Sequence, residues 1–189
     1  AEPEPVTELA QPFASRQLLQ NTYTDPQNRF SINYPSNWKS LTTDSGYIGF
    51  ATQSEPTTYS MIVELPGDKF PSDNDKENMN LIKEISSLYC SEDENCSEYK
   101  VRKSKTSYAD TNTKAFFVES TWYKNNDRYV SQFRLIPTED VAWIIYSQSK
   151  WIHFQNHSDK FLQMSESFSL APSVTASKQT QQTQQTTTS

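Results

Sequence analysis

Glycine is almost missing from this chain, with three residues among 189. Cradling a nucleotide phosphate on backbone amides needs several glycines at close spacing, so phosphate-loop chemistry is not expected. Cysteine and histidine are equally scarce, at two each. Positive charge is short as well: 17 Lys and Arg stand against 23 Asp and Glu, and the net charge of −6 argues against nucleic acid as a partner. No apolar run approaches the roughly 20 residues of a membrane-spanning helix, so no transmembrane segment is expected in these residues. No nucleophile elbow and no Ser/His/Asp set stands in recognisable context, so the chain reads as non-catalytic, with no cofactor expected. Hydrophobic residues reach only 34%, and the C-terminal stretch from 171 is nearly bare of large apolar side chains.

What is present is aromatic, 13% of the chain, concentrated between Tyr23 and Phe168. That middle is long enough for one domain with a sizeable core. Residues 1–20, with three prolines and three glutamates, read as a disordered arm. Residues 171–189, ending TASKQTQQTQQTTTS, read as a disordered Gln/Thr-rich tail that cannot offset its own ordering entropy. The expected domain is 21–170.

Within it, Tyr23-Thr24 leads into a turn at Asp25-Pro26-Gln27-Asn28. Phe30-Ser31-Ile32-Asn33-Tyr34 then alternates with period two, and Pro35 ends the strand because it cannot continue a ladder. Trp38 and Leu41 restart an apolar contact, and strands follow at 47–50 and 59–65. In KENMNLIKEISSLY, residues 76–89, the period changes: Leu81, Ile82, Ile85, Leu88 and Tyr89 share a helical face, capped by Asn74 or Asp75. Four strands in a meander are expected at 99–105, 114–123, 127–136 and 141–147, with a tight turn at Asn125-Asn126. The last, Val141-Ala142-Trp143-Ile144-Ile145-Tyr146, is apolar at consecutive positions and therefore needs cover on both faces. A second helix over 150–168 supplies the other cover. The expected class is α+β: an α/β/α sandwich with a central, mostly antiparallel sheet and helices on both faces.

The run Phe30-x-Ile32-x-Tyr34-Pro35-x-x-Trp38, followed by this order of elements, resembles the PsbP-like family over about residues 21–170. The resemblance implies that Tyr34, Pro35 and Trp38 form a structural corner, with the tryptophan folded back onto the core. It also implies an accessory role, because the type member is an extrinsic lumenal subunit of photosystem II and many prokaryotic relatives are exported. The photosystem subunit docks through a basic N-terminal arm. Here the arm is acidic, so that particular role does not carry over.

Four further features carry chemistry. Cys90 and Cys96 enclose SEDEN. A disulfide there would close a loop of about seven residues and contribute about 2.4 kcal/mol on the loop-entropy model; half of a metal site is the alternative, needing two ligands from elsewhere. His153 and His157, spaced i and i+4, are weak metal candidates, with Asp159 or Glu166 as conceivable third ligands. Asp73, Asp75, Glu77 and Glu84 mimic calcium-loop positions, but Asn78 replaces the required glycine, and they read as helix-start charges. Lys100, Arg102, Lys103 and Lys105 crowd one strand; the preferred reading is an edge guarded against unwanted pairing, and the alternative is a docking face for an acidic partner, glycan or lipid surface.

Two glycosylation sequons, at Asn95 and Asn156, the close cysteines, and an opening without methionine point together to an exported protein whose signal has been removed. The function expected is a non-catalytic accessory or binding module of the cell envelope, with a protein partner, perched on a larger membrane complex. The second reading is an extracytoplasmic small-ligand or metal-binding protein with a pocket between sheet and helix, and the third is an enzyme.

Overall fold

A computed structural model describes residues 19–66, 73–110 and 112–171. The elements run β1 (Asn21–Thr24), β2 (Phe30–Tyr34), β3 (Trp38–Thr42), β4 (Ile48–Thr52), β5 (Tyr59–Pro66), α1 (Asp75–Ser91), β6 (Cys96–Tyr108), β7 (Lys114–Lys124), β8 (Asp127–Pro137), β9 (Val141–Lys150), α2 (Trp151–Ser167) and β10 (Ser169–Leu170). The fold is α+β, with two helices and antiparallel pairing in every ladder among the described residues. The proposed arm and tail fall mainly at 1–18 and 172–189, outside the described residues.

Seven strands pair in the order β3-β4-β5-β9-β8-β7-β6, and a second sheet, β1-β2-β10, stands apart from them. Sequence periodicity suggests a single sheet. The split follows from Pro35: it ends β2, and the turn closed by Trp38 N–H donating to the Pro35 carbonyl (3.0 Å) sends β3 into the larger sheet. β1, β3 and β10 are strands that alternation alone does not reveal. β1 reads NTYT and β10 has two residues, so both exist only through pairing with β2.

Local chemistry sets the other boundaries. Asn74 caps α1, its side chain accepting from the amides of Lys76 and Glu77. Asn125 and Asn126 both take positive φ (51° and 68°), which fits the two-residue turn joining β7 to β8. α2 follows β9 without a loop, and Lys150 makes no side-chain cap.

β9 sits mid-sheet and feeds both sides. Trp143 and Ile145 join a cluster with Phe30, Ile32, Trp38 and Phe50 and with Phe161 and Met164 of α2. Ala142, Ile144 and Tyr146 join Phe116, Val118 and Phe133 and Ile82 of α1. The consecutive apolar run in β9 is thereby explained: alternate residues serve different cores. The helices are offset, because α1 packs on β6, β7 and β8 while α2 packs on β2, β8 and β9.

Candidate functional site

The corner predicted from Tyr34, Pro35 and Trp38 lies on the α2 side of the sheet. Trp38 is buried, with its ring 6.0 Å from Phe161 and 5.9 Å from His157, both on α2. Tyr34 is half-buried against Phe50 at 4.9 Å. A polar edge is expected on each aromatic, but Trp38 Nε1 is buried with no hydrogen-bond partner among the described residues.

His157 links this corner to a residue that sequence reasoning misses. Glu55, in the β4–β5 loop, places Oε2 2.6 Å from His157 Nε2 and Oε1 3.7 Å from His153 Nδ1. Thr58 donates to the same carboxylate at 3.2 Å. Burial opposes ionisation of Glu55, yet the hydrogen bond and charge of His157, with help from Thr58 and His153, hold its carboxyl below the ordinary range. The i, i+4 spacing therefore brings two imidazoles to one carboxylate, as metal spacing would. The carboxylate, however, bonds His157 directly. Asp159 and Glu166 are exposed, and neither is among the histidines' ion-pair partners. Among the described residues no set of three His, Cys, Asp or Glu side chains is placed to hold a metal ion. The arrangement ties the β4–β5 loop to α2.

On the opposite edge, β6 ends the seven-strand order, and its register slips between Ser97 and Lys100 and again between Val101 and Lys103. The second slip lets Arg102 and Lys103 lie on the same side of the sheet, so the cations do not alternate between faces. Lys100, Lys103 and Lys105 stand opposite Thr121, Glu119 and Phe117 of β7. Those three alternate with Phe116, Val118 and Ser120, which pack on or bond to α1. All four cations of β6 consequently share the face away from α1. Arg102 Nη1 reaches the buried carboxylate of Glu119 at 3.2 Å, and its guanidinium lies 4.8 Å from the centre of the Trp151 ring. Gln132 Nε2 donates to the other Glu119 oxygen at 2.8 Å. Arg128 of β8 stacks on the same indole at 3.9 Å, and the Lys105 ammonium sits 5.4 Å from the Phe117 ring.

Cys90 and Cys96 are joined in a disulfide, with Cα atoms 5.2 Å apart, tying the end of α1 to the start of β6. Asn95, inside that loop, and Asn156, on α2, are both exposed. Of the calcium-loop mimics, Asp75 and Glu77 lie in the first turn of α1, as helix-start charges should, and Asp75 also pairs with Lys114 at 2.6 Å; Glu84 lies mid-helix, so that reading does not hold for it. A surface depression of about 130 Å³ lies over β3–β5, with Leu41, Gly49, Tyr59 and Met61 in its lining. Its lining comes from strands and loop, not from between sheet and helix, and it is small beside the roughly 300–1,000 Å³ of ordinary ligand pockets.

Two helices, a seven-stranded antiparallel sheet and a small sheet built on the Tyr-Pro-Trp corner define a PsbP-like fold. A similar solved structure is the solution structure of cyanobacterial PsbP (CyanoP) from Synechocystis sp. PCC 6803. It is 8% identical, aligns over 86% of this chain and 99% of that one, and has a TM-score of 0.61. A crystal structure from Bacteroides thetaiotaomicron aligns over 82% of this chain at 13% identity and a TM-score of 0.53, and the alignment spans about half (49%) of that chain. LpqN of Mycobacterium tuberculosis, described as involved in cell envelope biogenesis, aligns over 76% of this chain and 83% of its own, at 13% identity and a TM-score of 0.49. No protein-family model matches the chain, and no curated protein matches it by sequence.

Proposed function

We propose that this chain is an exported, non-catalytic accessory module of the cell envelope, acting as an extrinsic subunit of a membrane protein complex. Its domain spans residues 21–170 as an α/β/α sandwich, a layering supported by the two cores that β9 feeds and by the separate helix each contains. The observation that carries the reading is what the buried ionisable groups do. Asp25 holds Arg29 at 2.8 Å across the first turn, and Glu119 holds Gln132 and Arg102. Arg134 donates to the carbonyls of Ser165 and Tyr108, and His157 pairs with Glu55. Each is tied to a structural partner, so these groups join elements of the fold instead of converging on one cleft. The disulfide favours an oxidising compartment, and the exposure of both sequon asparagines leaves them accessible to glycosylation there.

Chemical cross-linking on intact envelopes, followed by capture from detergent-solubilised membranes, tests this. A defined membrane subunit should be recovered at near-stoichiometric yield. Recovery of no subunit, together with a stoichiometric metal or organic ligand in the native protein, would overturn the proposal in favour of a binding protein.

A further inference from the structure

Seven cationic or apolar side chains from distant parts of the sequence lie either on the face of β6 and β8 away from α1 or in the first turn of α2, the helix on that side. Lys100, Arg102, Lys103 and Lys105 come from β6, Arg128 from β8, and Trp151 and Ile152 from the first turn of α2. Of the carboxylates on neighbouring strands, Glu119 is buried against Gln132 and Arg102, and Asp127 pairs with Lys150 at 2.7 Å. Lys100, Lys103 and Lys105 have no carboxylate within ion-pair distance among the described residues, and all three are exposed. Defence of a sheet edge requires only that some lysines point outward, and it gives no reason for all of them to share one face.

The apolar part of the patch is equally specific. Ile152 is 77% exposed, the highest value among the large hydrophobic residues described, and Trp151 before it in sequence is 38% exposed. Two guanidiniums, of Arg102 and Arg128, lie 4.8 Å and 3.9 Å from the centre of the indole and restrict its movement at the surface. An amphipathic ring and a bare aliphatic side chain beside unpaired cations are what the headgroup boundary of an anionic bilayer accommodates: phosphates meet the ammonium groups while the apolar pair enters the acyl boundary. An acidic protein segment would satisfy the cations but gives Ile152 no reason to be bare.

We propose that the β6 face, with Trp151 and Ile152, is a docking surface for the anionic headgroups of a bilayer. This rests on the envelope assignment and names the surface by which the module would lie against its membrane. Because the chain is net negative (−6), attraction depends on presenting this face, so contact orients the molecule with α1 away from the lipid.

Co-sedimentation of the full chain with vesicles tests the inference directly. Vesicles of phosphatidylglycerol and phosphatidylcholine should retain the protein at low salt, and phosphatidylcholine alone should not. Replacing Lys100, Lys103 and Lys105 with glutamine should lower the partition coefficient on the order of 100-fold. Replacing Lys39, Lys76 and Lys83, which remove the same charge from β3 and α1, should leave it within a few-fold. Ile152→Ser should weaken binding without altering its salt dependence. Equal binding to both vesicle types, or equal loss from the two triple variants, would overturn the proposal. So would vesicle binding that is absent while a membrane subunit is captured from solubilised envelopes, a result that leaves the accessory role standing and removes the lipid contact.

Discussion

Trp38 closes the first hairpin from beneath α2, and His157 on that helix answers with a bond to Glu55 across 102 residues of sequence. Trp38→Ala removes a buried ring against Phe161 and should cost about 3–5 kcal/mol in chemical denaturation. An unchanged midpoint with lost partner binding would make the corner functional instead of structural. Glu55 supplies a pH dependence whose sign is fixed. Its carboxyl is held below the ordinary range, so the ionised form favours the folded state. That stabilisation is complete above the unfolded value, near 4.3, and is lost as pH falls through the lowered folded value. Melting temperatures of Glu55→Gln should therefore fall less steeply below about pH 4 than those of the unaltered chain; parallel curves would show that the pairing carries no linkage. The histidine spacing and the tryptophan are legible in sequence. Glu55 is not, because it sits in a polar loop, SEPTT, that reads as an ordinary turn and reaches α2 only through the tertiary fold.

At the scale of elements, the sequence is most informative where geometry is local. The Asn125-Asn126 turn, the Asn74 cap and the double-sided β9 all follow from side chains within a few residues of one another. β1 and β10 are not visible, since their ladders to β2 exist only once distant segments meet. α2 ends in the same non-local way. With no basic residue in its last turn, its carbonyl at Ser165 is satisfied by Arg134 from β8, whose second donor reaches the Tyr108 carbonyl at 3.2 Å. Arg134→Met should cost about 2–3 kcal/mol by removing charged hydrogen bonds, and amide exchange should quicken over 162–170. Unchanged exchange there would show that α2 is held by its apolar face alone. The disulfide likewise joins α1 to β6, and Cys90→Ser with Cys96→Ser should lower stability by about 2 kcal/mol, read as a shift in the denaturation midpoint that reducing agent reproduces in the parent.

For the whole molecule, the offset of the helices decides which surfaces remain. α1 covers one face at β6–β8, and α2 with the small sheet covers the other at β2, β8 and β9, so β6 presents its cations beside α2. The PsbP-like fold is legible in the Tyr-Pro-Trp corner and the order of elements. The meeting of Arg102 and Arg128 with Trp151 is not, because only the strand register and the placement of α2 bring them together. An extrinsic role on a membrane complex makes a direct demand on the native protein. The most direct measurement is its migration in native electrophoresis after mild detergent solubilisation of membranes from its own cells. Co-migration with a larger complex, reversed by high salt, is the predicted result. Migration at the mass of a single chain under every solubilisation condition would contradict the extrinsic-subunit assignment.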